Sequence, residues 1–159
     1  MAQITDPSNA LSGFQLALDS RGIHPKKCML HTDLYTFTDE QNGVRRYTYA
    51  HIENGIAKGI VMFVTIPKIN KTPSLGIGYA VMKSNENQGI ATRLVKKSID
   101  EIKSRFSFSF YLQAIIDANN IASQKVALKT LPCTPVKIIE QQGNMPAYDF
   151  TFYVDNNKK

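Results

Sequence analysis

One junction in the chain collects residue types suited to holding an anion. Residues 78–92 read GYAVMKSNENQGIAT, an apolar run of strand type that passes through a polar turn into a helical pattern. Where a strand hands over to a helix, the first-turn amide N–H groups lack intrahelical partners. Together with the positive end of the helix dipole they suit a phosphate or diphosphate. Gly89 and Ala91 keep the backbone bare enough for close approach. A glycine at a helix start serves equally as a plain turn, so these letters alone leave both readings open. A second polar pair, Asn120 and Ser123, opens another helical stretch, where Asn is also a good N-cap in its own right.

Reactive side chains are sparse. His51 has the intrinsic pKa range of a general base, and Tyr79 and Tyr148 are candidate acids, although histidines and tyrosines on strands more often pack. The two cysteines, Cys28 and Cys133, lack C-x-x-C or Cys/His ligand spacing, so neither a disulfide framework nor a metal site is expected.

The elements that must position these groups follow from pattern. Asp6-Pro7, then Leu11, Phe14, Leu16 and Leu18, closed by Gly22, predicts a first helix with an acidic N-cap and proline at its first position. From Met29 onward the chain turns to runs rich in Tyr, Thr, Val and Ile, cut by Asn42-Gly43 and Asn54-Gly55. Asn-Gly favours two-residue hairpin turns because both central residues need positive φ. Strands are therefore expected near 29–39, 44–53 and 56–66, then a loop over Pro67–Pro73 and a fourth strand near 75–82. In the register those turns suggest, Tyr47, Tyr49 and His51 share one face opposite Met62, Ile60 and Lys58.

The segment 88–106 spaces Ile90, Leu94, Ile99, Ile102 and Phe106 as one apolar helix face. Residues 110–117 (FYLQAIID) form a compact apolar run, expected as a central strand parallel to the one before the helix. A helix over 119–131 ends at Pro132. A final hairpin joins 136–140 to 148–154 through Gln141–Pro146, and 155–159 is expected as a tail.

The stretch YAVMKSNENQGIATRLVKKSIDEI resembles the cofactor motif of the GNAT (N-acetyltransferase) superfamily: a strand ending in Ala-Val, a short loop, then Q/R-x-x-G-x-G/A opening a long helix. Gly89 and Ala91 take the last two motif positions, with Val81 at the usual spacing before them. DANNIASQKVALK resembles the second motif through Asn120 and Ser123. The resemblance implies a single α/β (α+β) domain over 1–159. Its sheet would be mixed and mainly antiparallel, of about six to seven strands, with a central parallel β-α-β unit and flanking helices. It implies acetyl-CoA as co-substrate, with Val81 and Met82 offering backbone groups to the pantetheine arm. The amides of Glu86, Asn87, Gln88, Gly89, Ile90, Ala91 and Thr92 would hold the pyrophosphate. Asn120 and Ser123 would contact the pantetheine or adenosine end, with Lys129 at a commonly basic position nearby.

Departures from the family pattern are equally specific. Glu86 stands where Gln or Arg is usual, Leu131-Pro132 replaces a frequent Gly-Phe, and a direct meander follows the first helix instead of a helix pair. The family's strand glutamate base is missing from Ser74–Gly78, and its helix tyrosine acid is missing from Lys125–Lys129. Backbone N–H near Ala80 or Val81 is the expected donor to the thioester oxygen. Two functions follow: an acetyl-CoA-dependent N-acetyltransferase acting on an amine of a small molecule or protein, and a noncatalytic acyl-CoA-binding module.

Composition narrows the classes. With 159 residues, 43% hydrophobic and 20% charged, the chain fits one ordinary globular domain. Its +6 charge is scattered in pairs such as Arg45-Arg46, Lys96-Lys97 and Lys158-Lys159, which argues against a nucleic-acid stripe. With no basic leader and no apolar run of membrane length, a cytoplasmic protein is expected. Its expected partners are acetyl-CoA and an amine acceptor, with a homodimer admissible.

Overall fold

The computed structural model describes residues 7–141 and 143–157. The proposed N-cap Asp6 and the final lysine pair lie outside the described residues. Helix α1 (Pro7–Asp19) leads to the short β1 (Lys26–Lys27), then β2 (Leu34–Gln41), β3 (Val44–Glu53), β4 (Ile56–Ile69) and β5 (Thr72–Val81). A 3-10 turn (Lys83–Asn85) precedes α2 (Ile90–Arg105), and β6 (Phe110–Asp117), α3 (Ile121–Thr130), β7 (Val136–Glu140) and β8 (Met145–Val154) complete the order. The strands form one eight-stranded sheet in the order β1-β2-β3-β4-β5-β6-β8-β7. All neighbours are antiparallel except β5 and β6, the parallel pair that α2 connects. This is the GNAT-like mixed sheet expected, with one more strand than expected.

The turns explain both the agreement and the differences. Asn42-Gly43 and Asn54-Gly55 have positive φ at both residues, the left-handed pair that closes the β2–β3 and β3–β4 hairpins. A third such pair, Asn70 (φ 49°) and Lys71 (φ 62°), turns β4 into β5. The expected loop over Pro67–Pro73 is therefore mostly strand. The ladder is irregular there, and the Ser74 hydroxyl accepts the Ile69 N–H at 3.0 Å. At the end of α1 the left-handed residue is Arg21 (φ 59°), one before Gly22. Gly22 N–H bonds to Ala17 and Arg21 N–H to Leu18, which ties off the last carbonyls.

The expected register across β3 and β4 is one residue out. Tyr47, Tyr49 and His51 face Phe63, Val61 and Gly59, because a bulge beyond His51 places an extra residue, Lys58, on β4. A one-residue slip exchanges the two faces of a strand, and here it decides which core each residue joins. Tyr47, Tyr49, Val61 and Phe63 enter the larger core under α2 and α3, with Leu94, Ile102, Phe110 and Phe150. Ala50, Ile60 and Met62 pack instead under Leu11, Phe14 and Leu18 of α1. Leu16, at 70% exposure, belongs to neither core.

Candidate functional site

The site is made by a sheet that stops pairing. Strand β5 bonds to β4 along its length, but its parallel ladder with β6 covers only Ser74–Gly76 against Tyr111–Gln113. From Ile77 onward the two strands have no rungs between them. Met82 N–H donates to Lys58 O at 2.8 Å across β4. Backbone direction alternates along an antiparallel ladder, so the N–H groups of Val81 and Tyr79 turn the other way, into the gap, while that of Ile77 closes the last rung with Gln113. The expected donor Ala80 faces β4 by the same rule. Met82 spends both backbone groups internally, since its carbonyl accepts Asn85 N–H.

A cleft of about 830 Å³ passes through this gap. On the face beneath α2 and α3 it is lined by Ile77, Tyr79, Ile116, Asn120 and Ser123. On the opposite face it is lined by Gly76, Gly78, Gln113, Ile115 and Asp149, with Pro67 and Lys68 at one rim. The two glycines bring β5 to that face without side chains, so the opening is as wide as the backbone allows.

Beside the gap, Gly89 caps α2 in the left-handed conformation (φ 73°), and no side chain caps the first-turn amides. Those of Ile90, Ala91 and Thr92 find no acceptor among the described residues, while Arg93 N–H returns to Gly89 O at 3.1 Å. Asn87 is also left-handed (φ 61°), Gln88 anchors the turn by donating to Ser84 O at 3.2 Å, and Glu86 is exposed. Arg93 curls back so that its guanidinium reaches Gln88 O at 3.5 Å. A Cβ on Gly89 would meet that guanidinium at 3.2 Å. Arg93 was not singled out from the sequence, although an arginine one turn into the motif helix is a readable sign. At α3, Asn120 Oδ1 accepts Ser123 N–H at 3.1 Å, so the capping reading of this pair is realised.

The candidate acid and base fare differently. His51 bonds to Glu53 at 2.8 Å and stands two strands from Val81, paired to Gly59. It does not line the cleft. Tyr79 does, but its hydroxyl donates to Ser123 O at 2.6 Å, and burial pushes its pKa well above the ordinary tyrosine value. Burial likewise holds the Cys28 thiol at about 12, with Glu101 and Asp33 adding to it, and raises that of Cys133. Neither thiol is a ready nucleophile at neutral pH.

A family model described as an acetyltransferase (GNAT) domain matches residues 24–130. The chain belongs to the GNAT acetyltransferase family. No curated protein sequence matches it. Among solved structures, the ribosomal L7/L12 α-N-protein acetyltransferase bound to coenzyme A is similar with TM-score 0.55 at 20% identity, covering 70% of this chain and 64% of that one. A GNAT-family acetyltransferase from Streptococcus pneumoniae gives TM-score 0.56 at 12% identity, over 96% and 97% of the two chains. An aminoglycoside acetyltransferase with coenzyme A and kanamycin gives 0.54 at 14%, over 70% and 67%. At such identities these likenesses concern the fold. The chain spans less than two thirds of the length of the ribosomal-protein enzyme. No helix among the described residues is long and apolar enough to cross a membrane.

Proposed function

We propose that this GNAT protein is an acetyl-CoA-dependent N-acetyltransferase acting on an amine of a small molecule or protein. The observation that carries this reading is the cleft at the β5–β6 gap, lined by residues from both faces of the sheet. Two substrates entering from opposite faces would meet beside the N–H groups of Tyr79 and Val81, which lie beyond the last rung. The chain's residues fit acetyl-CoA. The pantetheine amides can pair with Val81 and Tyr79 as an added strand would, and the pyrophosphate can take the unspent amides of Ile90, Ala91 and Thr92 with Arg93 nearby. Bound acetyl-CoA supplies the thioester. The protein would contribute a backbone N–H in the gap, available to the carbonyl oxygen as it gains charge. A protonated acceptor amine must lose its proton before attack, because a free alkylamine stays charged near neutral pH.

One observation favours a second reading, a noncatalytic acyl-CoA-binding module. Ser74–Gly78 carries no carboxylate, and Tyr79 spends its hydroxyl on Ser123. Thermal denaturation with and without acetyl-CoA, followed by thiol release across an amine panel, separates the readings. A raised melting temperature with turnover of some amine supports the transferase. A raised melting temperature without turnover supports the binding module, and no shift at millimolar acetyl-CoA overturns both.

A further inference from the structure

The charge of the cleft runs against the charge of the chain. The protein carries +6, yet the charged side chains lining the cleft are Asp117, Glu140 and Asp149 against Lys68. Asp149 is distinguished by how it is held. It sits on β8 opposite Ile115, on the sheet face away from Phe150 and the larger core. Gln113 Nε2 donates to its two carboxylate oxygens at 3.4 and 3.2 Å and also to Thr151 Oγ1 at 3.2 Å, while the Thr151 hydroxyl donates to Asp149 Oδ1. These are neutral donors, so they orient the carboxylate and leave its charge uncompensated. No lysine, arginine or histidine among the described residues forms an ion pair with it.

Position adds to this. Gln113 stands opposite Gly76, the last rung before β5 and β6 part, so the oriented carboxylate lies at the root of the gap. It lies on the face where Gly76 and Gly78 leave the passage clear, opposite the face that carries the α2 amides. A half-buried anion of fixed direction beside a passage calls for a cation with N–H donors. Among the described residues no three His, Cys, Asp or Glu side chains gather as a metal site would, and an organic cation with N–H donors suits the passage. Three acids against one lysine among the described lining residues leave an excess of negative charge, which favours an ammonium group beside the reacting amine.

We infer that Asp149 is the specificity residue that receives the protonated, non-reacting amine of a small oligoamine acceptor, with Glu140 and Asp117 adding negative charge nearby, while the amine that attacks the thioester first gives up its proton to solvent. The inference rests on the acetyl-transfer reading and names its substrate class. It is tested with the full chain, acetyl-CoA, and the matched acceptors 1,4-diaminobutane and butylamine, which differ in the second amine. The diamine is expected to be the better acceptor by about tenfold or more in kcat/KM. Asp149→Asn should raise its KM about 10- to 100-fold, as loss of one charged hydrogen-bonding partner does. The KM for acetyl-CoA and the acetyl-CoA-induced rise in melting temperature should be unchanged, which also shows that the variant folds. Glu140→Gln, on the edge strand, should reduce the ratio of diamine to monoamine kcat/KM at least fivefold and serves if Asp149→Asn does not fold. Equal use of the two amines, turnover of a serine-ended peptide alone, or an unchanged diamine KM in Asp149→Asn would overturn the inference. So would acetyl-CoA binding by wild type with neither amine accepted. Failure of wild type to bind acetyl-CoA is read separately, because it sinks the acetyl-transfer reading itself.

Discussion

Strand β5 has two neighbours and is joined to them in opposite ways. Against β4 it keeps an antiparallel ladder from Thr72 to Val81, with one irregularity near Ile66 and Ile69. Against β6 it keeps three parallel rungs and then none. Unpaired backbone inside a protein is costly unless something else satisfies it, so an open seam in mid-sheet needs support from elsewhere. The support comes from above. Helices α2 and α3 lie over both sides of the seam on one shared core, and Tyr79 on β5 reaches across to the Ser123 carbonyl of α3. The closed seam holds the sheet together, whereas the open one leaves hydrogen-bonding groups to spare for a ligand.

This contrast is tested most severely where the second seam is still closed. Phe110 opens β6, is 1% exposed, and packs edge-on against Phe106 with centroids 5.5 Å apart. If the shared core carries the seam, Phe110→Ala should destabilise by about 3–5 kcal/mol in urea denaturation. A loss below about 1 kcal/mol would mean that the short ladder does the work instead.

The next largest effect should separate ligand from fold. Gly89→Val forces a β-branched residue to φ 73° and pushes its Cβ toward Arg93, at a cost of about 1–3 kcal/mol. Strain falls on the turn that presents the α2 amides, so the acetyl-CoA-induced melting shift should vanish while a cooperative transition remains. Retention of a full shift would remove this turn from the binding site.

Asn120 carries two readings that one substitution cannot divide. Asn120→Ala should cost about 1 kcal/mol through the lost cap to Ser123. Asn120→Asp keeps the cap, and by melting temperature it should recover the stability. If Asn120 also faces the cofactor, the new charge should weaken acetyl-CoA binding severalfold. An Asp variant with both properties of wild type would leave Asn120 as a cap alone.

Much of this architecture was legible because local chemistry decided it. The two Asn-Gly turns, the apolar face of α2 and the run 110–117 each carry their own signal, and β6 lies where that run predicts. The illegible features are those set by pairing between distant segments. The Lys58 bulge that moved His51 from Lys58 to Gly59 has no local letter, and Asn70-Lys71 turns as sharply as Asn-Gly without its glycine. The end of the β5–β6 ladder at Gly76 is marked by no local letter either. Gln113, Asp149 and Thr151 meet only because β8 returns beside β6. The proposed cofactor side is a local motif, whereas the proposed acceptor side is assembled from strands remote in sequence.

The smallest expected effect bears on the one bridge across the open seam. Tyr79→Phe removes the hydroxyl bond to Ser123 O, a carbonyl in the first turn of α3, and should cost at most about 1 kcal/mol. Burial raises the phenol's pKa above its ordinary value of 10.0, so the folded protein holds that proton where the unfolded chain releases it. The sign follows: wild-type stability loses this contribution as pH rises past about 10, and the Phe variant should lose less in alkaline melts. A proton held so firmly, and already donated to a carbonyl, is poorly placed to leave for a thiolate. Tyr79→Phe should therefore keep kcat within about threefold and leave the pH profile near neutrality unmoved, since a lost general acid would lower the rate about 100-fold or more. A loss of that size would make Tyr79 the acid, and the bridge to Ser123 would then be a resting contact that substrates open.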